Sequence, residues 1–215
     1  MGKINVLPEK VISKIAAGEV VERPSSVLKE LLENSIDAKS SKIFVEIEKA
    51  GEKLIKVVDN GVGIDQEDIG YVFSRYATSK IKDEKDLEKI LSLGFRGEAL
   101  YSIGVVSDVI LRSRSKGDEI GTEIHIRGGK ELSRKKVGMS EGTIVEVREL
   151  FFNTPVRKKF LKSDTTELRQ ILNVFLPYAI LFYNVEFKLI HNKREIFNLP
   201  TTSDLKERVK SATGI

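Results

Sequence analysis

The 215-residue sequence contains no cysteine and no long apolar run. Without cysteine, the protein has no disulfide scaffold, no thiolate zinc site and no cysteine nucleophile. The most apolar stretch, 171–185, is interrupted by Asn173, Pro177 and Asn184, and the first ten residues lack the apolar core of a signal peptide. The two histidines, His125 and His191, lack the spacing of metal-binding motifs, so we expect structural roles for both. These absences favour a cytoplasmic protein that neither crosses nor binds a membrane.

The composition is typical of a folded globular chain with a small positive charge. Hydrophobic residues make up 40% of the sequence and charged residues 32%. Lysine and arginine total 36 against 32 for aspartate and glutamate, which gives a net charge of +4. A surplus this small does not by itself indicate a nucleic-acid-binding protein. The length allows one large domain, or one domain and a fragment of a second.

Hydrophobic periodicity predicts a mixed chain of helices and strands. The predicted helices are 7–21, 24–37, 65–73, 99–105, 157–181 and 204–212, and the predicted strands are 43–48, 54–58, an antiparallel meander between 108 and 147, and a hairpin over 185–197. The polar stretch 74–93 is predicted to be a long mobile loop, and loops of this length are usually functional. We expect the last helix to have no packing partner within the chain.

The sequence from Asp59 to Gly63, Asp-Asn-Gly-Val-Gly, directly follows a predicted strand. A carboxylate held at a strand end can accept a hydrogen bond from the amino group of adenine, while the glycines let the backbone approach a flat ligand. The alternative is a tight turn in which Asp59 bonds to its own backbone. Neither a P-loop sequence nor a complete dinucleotide fingerprint is present.

Glu30 and Asn34 lie one turn apart on the predicted helix 24–37, beside its apolar stripe. A carboxylate in this position can take a proton from water, and an amide oxygen can ligate Mg²⁺, which prefers oxygen ligands. The alternative is a solvated helix face without a chemical role.

Two further segments are suited to phosphates. A glycine-rich turn that leads into a helix gathers backbone N–H groups into an anion site. The segment Thr78-Ser79-Lys80 supplies two hydroxyls and a cation at the other end of the polar loop. We therefore predict a lid over the phosphates, the alternative being a flexible surface loop with incidental glycines. The glycine-rich turn is Gly94-Phe95-Arg96-Gly97-Glu98-Ala99-Leu100.

The order of these motifs resembles the superfamily of ATP-binding domains found in gyrase, heat-shock chaperones, histidine kinases and MutL. Several longer segments are similar to the MutL mismatch-repair family in particular, and the resemblance covers essentially residues 6–161. The segments are Lys14–Pro24, Lys29–Ser35, Ala77–Ile81, Gly94–Leu100 and Asn153–Pro155.

The resemblance implies an α+β fold of the Bergerat type, a two-layer sandwich of helices on a mixed, largely antiparallel sheet. It implies ATP and Mg²⁺ as cofactors. By this resemblance Glu30 activates the attacking water, Asn34 holds Mg²⁺, and Asp59 binds the adenine amino group. Gly63 and Thr143 flank the base. The implied phosphate ligands are Thr78 to Lys80 and Gly94 to Leu100.

The resemblance also implies a homodimeric ATP-driven switch in DNA mismatch repair. Its partners would be DNA, a mismatch sensor and downstream repair proteins. In the family a second domain follows, with a lysine that reaches the terminal phosphate, and a dimerisation domain follows that. We therefore expect residues 1–200 to form the ATP-binding domain and 201–215 to begin a second one. The chain alone should be mainly monomeric and hydrolyse ATP very slowly.

Two other functions remain open at this point. The basic clusters Arg134–Lys136 and Arg157–Lys159 would suit a non-catalytic DNA-binding module, although short charge runs are more often solvated faces. No aromatic residues interleave with them to stack on bases. A histidine kinase domain shares the nucleotide site, but it needs a partner histidine on a helical dimerisation segment, and neither histidine lies on one.

Overall fold

The computed structural model describes residues 5–78, 92–94 and 97–214, without the side chain of Lys10. The helices and strands of these residues form the α+β sandwich that the motifs predicted. The helices are α1 (Glu9–Val20), α2 (Pro24–Asp37), α3 (Ala99–Val106), α4 (Pro155–Phe160), α5 (Asp164–Leu181) and α6 (Leu205–Thr213). The strands are β1 (Lys42–Glu48), β2 (Leu54–Asp59), β3 (Asp108–Arg114), β4 (Gly121–Arg127), β5 (Lys130–Val137), β6 (Gly142–Arg148), β7 (Glu186–His191) and β8 (Arg194–Leu199).

The strands form one sheet in the order β5-β4-β3-β6-β2-β1-β7-β8. Every neighbouring pair is antiparallel except β1 and β7, which are parallel. Only β3, β4 and β5 form the predicted meander, because β6 crosses back and lies between β3 and β2. Since β5 is exposed along almost all of its length and rich in lysine, it is suited to the edge, whereas β6 buries Val145 and Val147 in the interior.

The core lies between the helices and one face of the sheet. In β1, Ile43, Val45 and Ile47 alternate with half-buried residues and are buried, as the sequence pattern predicted. Leu28 and Phe175, from α2 and α5, are fully buried in the same cluster. Burying a side chain of this size stabilises the fold by about 1.5–3 kcal/mol. This packing fixes α2 on the sheet.

Charged side chains occupy the opposite face of the sheet. Arg112 of β3 donates to Glu123 of β4 (2.5 Å) and to Glu146 of β6 (2.7 Å). These three strands are neighbours, so the guanidinium joins them side to side. Burial favours a higher pKa for both carboxyls, but hydrogen bonds from cations lower it on balance, from Arg112 and Lys135 for Glu123 and from Arg148 and Arg112 for Glu146.

Residues 65–73 form a series of hydrogen-bonded turns, so the helix predicted there is wrong. The backbone N–H groups of Asp68 and Ile69 both donate to the Asp65 carbonyl, and Tyr71 donates to Asp68. The segment combines aspartates, which favour turns, with Gly70, which weakens a helix. The preference of these residues for turns therefore outweighs the apolar spacing that predicted a helix.

The helix predicted over 157–181 is divided into α4 and α5. Leu161 leaves the helical region, with φ −58° and ψ 140°, and Ser163 then caps α5 by accepting a hydrogen bond from the Thr166 N–H. Serine is a preferred N-cap because its oxygen satisfies an N–H without a helical partner. Pro177 lies inside α5, as predicted. Among the helices described above, none is long and apolar enough to cross a membrane.

The last helix has packing partners, and the expectation that it has none is wrong. α6 contacts α5 and β8, and Arg208 on its inner side is fully buried. From the sequence alone, a single arginine on a polar helix such as α6 would be expected to face solvent. The carbonyl groups that accept hydrogen bonds from Arg208 are brought together only by the fold. The guanidinium donates to the carbonyls of Ala179 (2.7 Å), Tyr183 (2.9 Å), Val185 (2.8 Å) and Pro200 (2.8 Å).

From the burial of the Arg208 guanidinium we predict that it contributes strongly to stability. Arg208→Met keeps the apolar stem but leaves four carbonyls without their donor, so we expect a loss of about 3–5 kcal/mol in the free energy of unfolding. Urea unfolding measures this loss. Lys206→Met, at an exposed position of α6, is the control and should change stability by less than about 0.5 kcal/mol. Equal unfolding midpoints for the two variants would contradict the structural role of Arg208.

Candidate functional site

A cavity of about 1620 Å³ opens between α2, the adjacent ends of β2 and β6, and the start of α3. It is large enough for a nucleotide. All the predicted site residues that the structure describes line it. They are Glu30, Asn34, Asp59, Gly63, Thr78, Gly94, Gly97, Glu98, Ala99, Leu100 and Thr143. Ser79, Lys80, Phe95 and Arg96 lie outside the described residues, as does most of the loop predicted at 74–93.

Asp59 is held at the end of β2, directly opposite Thr143 of β6. Its Oδ1 accepts a hydrogen bond from the Gly61 N–H (2.9 Å), and its Oδ2 accepts one from the Ser35 hydroxyl (2.9 Å). The hydrogen bond from Gly61 forms the tight turn that was the alternative interpretation of the Asp59 motif. Asp59 also lines the cavity, so the turn does not remove the carboxylate from the cavity wall.

Burial raises the pKa of the Asp59 carboxyl above its ordinary value. The hydrogen bonds from Gly61 and Ser35 favour the charged form but do not cancel the loss of solvation. An ionised Asp59 therefore costs the folded state some stability at neutral pH. Buried groups with perturbed pKa values often belong to functional sites.

Gly63 lines the cavity beside Asp59, and Ser113 contacts two other residues of the lining, Ile64 and Thr143. Gly63 has φ +73°, and a Cβ there would lie 2.2 Å from the Arg114 carbonyl oxygen, so only glycine fits. The buried Ser113 hydroxyl accepts from the Ile64 N–H (2.9 Å) and lies 2.9 Å from Thr143 Oγ1. Sequence reasoning missed Ser113 and Ser35. The available signal for Ser113 was a serine on the inward face of β3, after the apolar residues Val109 and Leu111.

Glu30 and Asn34 are half-buried and line the cavity from α2. The predicted apolar stripe is at the core, where Leu28, Leu31 and Leu32 are buried. Residues three and four apart on a helix share one side, which explains why the two polar groups lie together. The pair therefore faces the cavity from a rigid element.

The two segments predicted to bind phosphates meet at the far end of the cavity. A Cβ on Gly97, which has φ +62°, would lie 2.6 Å from the Ala77 carbonyl oxygen, so the chain before Thr78 touches the turn before α3. Asp37, at the end of α2, accepts from the N–H groups of Leu93 (3.0 Å) and Gly94 (3.2 Å).

Asp37 was not among the predicted site residues. A carboxylate at a helix C-terminus opposes the helix dipole, and this unfavourable position was the signal for a role outside the helix. The start of α3, with Glu98, Ala99 and Leu100, forms the adjoining wall. The first N–H groups of a helix have no intrahelical acceptor and attract anions. The cavity is thus lined both by a carboxylate at the end of β2 and by the first residues of α3.

Neither histidine lies at the cavity. His125 Nε2 is 2.6 Å from Asp108 Oδ1, and His191 Nε2 accepts a hydrogen bond from the Ala50 N–H (3.4 Å). Burial lowers the pKa of His191 below its ordinary value, although Asp164 opposes the shift, and the neutral ring can accept this bond. These contacts agree with the structural roles expected for both residues.

The strands and helices that build the cavity match a known family. Residues 22–150 match the model of the histidine kinase-, DNA gyrase B- and HSP90-like ATPases. This range contains every residue of the predicted site. The chain belongs to this ATPase family.

Within the ATPase family the chain is of the MutL type, as its motifs predicted. It is 49% identical over 215 residues to the DNA mismatch repair protein MutL of Thermodesulfovibrio yellowstonii, covering 100% of this chain and 39% of that protein. It is 53% identical over 209 residues to the MutL of Persephonella marina, covering 97% and 40%. The chain spans about two fifths of the length of these relatives.

Solved structures agree with this assignment. The MutL ATPase domain of Aquifex aeolicus, complexed with ADP, has a TM-score of 0.75 and 44% sequence identity. The match covers 91% of this chain and 70% of that one. The prediction of a MutL-type ATP-binding domain is therefore confirmed.

The raised pKa of Asp59 predicts a pH-dependent cost to stability in the MutL-type site. The Asp59 carboxyl binds its proton more tightly in the folded state than in the unfolded state. It therefore stabilises the fold at pH values below its unfolded pKa, near 3.8, and this stabilisation is lost as the pH rises through its folded pKa. We expect Asp59→Asn to be more stable than the wild type at neutral pH, with a difference that shrinks in acid. Urea unfolding between about pH 4 and about pH 8 measures it. The control is Asp65→Asn, at an exposed position, and a difference that grows in acid would contradict the prediction.

Proposed function

We propose that the cavity binds Mg²⁺-ATP and hydrolyses it slowly, as a conformational switch in DNA mismatch repair. One observation supports this most: Glu30, Asn34, Asp59 and the start of α3 all line a single cavity. The similar Aquifex aeolicus domain was solved with ADP, which is consistent with a nucleotide here.

Asp59 is proposed to select adenine. Its carboxylate is held by Ser35 and Gly61 in the cavity wall, and a carboxylate oxygen there suits the amino group at the six-position of the base. Gly63 and Thr143, which line the cavity beside it, would flank the ring. A carboxylate that holds an amino group discriminates against a base with an oxygen at that position, because two acceptors would then face each other.

Asn34 is proposed to hold Mg²⁺ against the phosphates. The residues that the structure describes include no group of three or more His, Cys, Asp or Glu side chains that could hold a metal by themselves. This fits Mg²⁺, which usually binds nucleotide sites through one or two protein oxygens, phosphates and water. When bound, the ion neutralises negative charge on the phosphates.

Glu30 is proposed to act as the general base, one helical turn from Asn34. Phosphoryl transfer depends mainly on positioning and on electrostatic stabilisation. A carboxylate on a packed helix can orient a water molecule and accept its proton without first becoming ordered. The start of α3 would bind the phosphates through its backbone N–H groups.

The phosphate lid and the partners are also proposals. Thr78 to Lys80 and Gly94 to Leu100 would close over the phosphates, and their described members already line the cavity. We further propose the division at residue 200, a cytoplasmic location, and ATP-dependent dimerisation with DNA, a mismatch sensor and downstream repair proteins as partners. In this chain alone we expect very slow hydrolysis and a monomer.

The adenine role makes a prediction about binding. Asp59→Ala removes the acceptor of the amino group, so ATP affinity should fall by about 1–3 kcal/mol. Calorimetry with ATP and with GTP measures this, and GTP should bind the wild type poorly. The control is Asn60→Ala, in the same turn as Asp59. This variant removes the hydrogen bonds that the N–H groups of Ser41 and Lys42 donate to Asn60. Equal ATP affinity in wild type and Asp59→Ala would remove Asp59 from this role.

The general-base role separates binding from chemistry. Glu30→Ala should retain ATP, because the base acts on water, while hydrolysis falls about 10²- to 10⁴-fold. Asn34→Ala should lose both binding and hydrolysis, because the metal joins the protein to the phosphates. Phosphate release and equilibrium binding check the two properties. A Glu30→Ala variant that keeps the wild-type rate would show that this function is wrong.

A further inference from the structure

Glu33 is a buried carboxylate in the wall of the nucleotide cavity, and the proposed mechanism does not use it. It lies on α2 between Glu30 and Asn34, and it is only 7% exposed. A buried carboxylate is costly unless it is paired. Its Oε1 accepts a hydrogen bond from the Tyr178 hydroxyl of α5 (2.5 Å), and the Lys29 ammonium lies 3.7 Å away. The contact to Tyr178 joins the site helix to a different element.

Tyr178 is itself held in place near the end of α5. The next residue, Ala179, accepts a hydrogen bond from the buried Arg208 through its carbonyl (2.7 Å). The Tyr178 ring lies almost parallel to that of Phe182, at an angle of 8° and with centroids 6.4 Å apart. The hydroxyl is therefore presented to α2 from an immobilised position.

The Tyr178 hydroxyl remains a hydrogen-bond donor. Burial, the hydrogen bond to Glu33 and the charges of Glu33 and Glu30 all raise the pKa of Tyr178 above its ordinary value. The phenol consequently keeps its proton throughout the pH range in which enzymes work. The influence of Glu30 on this group also places the hydroxyl within electrostatic range of the proposed base.

We propose that Tyr178 is a positioning residue for ATP hydrolysis, because its hydroxyl fixes Glu33 and so fixes the orientation in which α2 presents Glu30. The inference rests on the proposed role of Glu30. Glu30 and Glu33 are three residues apart and lie on neighbouring parts of one helix surface. Without the hydroxyl, the Glu33 carboxylate keeps only the more distant Lys29 ammonium, and its movement would displace the neighbouring base. Misplacement by about 1 Å can cost up to about 10²-fold in rate.

The test is Tyr178→Phe, which removes one oxygen and leaves the ring. Single-turnover hydrolysis and equilibrium ATP binding are measured on the whole chain, well below the unfolding midpoint of each variant. We expect hydrolysis to slow about tenfold while ATP affinity stays within about twofold of the wild type. A residue that only supports the fold would instead lower the unfolding midpoint and leave the rate per folded molecule unchanged.

Tyr183→Phe is the matched control, because Tyr183 is also half-buried and its hydroxyl makes no hydrogen bond within the described part of the chain. It should hydrolyse ATP at the wild-type rate. A second variant, Glu33→Gln, removes the charge of the acceptor. If the hydroxyl acts through Glu33, the double variant of Tyr178→Phe and Glu33→Gln should be no slower than the slower single variant. If the losses of hydrolysis rate in the two single variants were additive in the double variant, the proposal that the hydroxyl acts through Glu33 would be wrong.

The outcomes separate this inference from the proposed function. Wild-type hydrolysis in Tyr178→Phe, together with loss of hydrolysis in Glu30→Ala, would overturn the role of Tyr178 and leave the ATPase mechanism intact. A matching fall in ATP affinity and rate would also overturn it, because the whole cavity would then be distorted. Wild-type hydrolysis in Glu30→Ala would instead refute the mechanism.

Discussion

The position of α2 is the constraint on which the site depends. Leu28 and Leu32 are fully buried on one side of this helix, and Glu30 and Asn34 line the cavity from another. Its end is tied to the turn before α3 through Asp37, and its middle is tied to α5 through Glu33. A helix fixed on several sides can present reactive groups without reordering, which suits chemistry that depends on positioning.

The site costs stability that other parts of the fold supply. Burial raises the pKa of Asp59, and Glu33 is a buried carboxylate. The apolar core, which reaches the cavity at Leu31, Val57 and Val145, and the contacts of Arg208 hold the elements that carry these groups. This distribution is expected where function requires polar groups at the edge of a core.

The C-terminal helix is connected to the site by a short series of contacts. Arg208 of α6 binds Ala179 of α5, and the neighbouring Tyr178 binds Glu33 of α2. α6 is therefore packed against the same helix that contacts α2. These contacts identify the side chains to change in a test of coupling between α6 and the cavity.

The sequence by itself determined the features that depend on neighbouring residues. Pro24 and the apolar stripe specify α2, and alternation specifies β1. The order of the motifs that contain Glu30, Asn34 and Asp59 resembles an ATP-binding family, and this resemblance implied the nucleotide site. The register that sets Asp59 opposite Thr143, the insertion of β6 beside β2, and the partners of Tyr178 and Arg208 were decided only by the tertiary structure. The physical reason is separation along the chain: Glu33 lies 145 residues from Tyr178, so no local pattern records their contact. It forms only because the core packs α5 against α2.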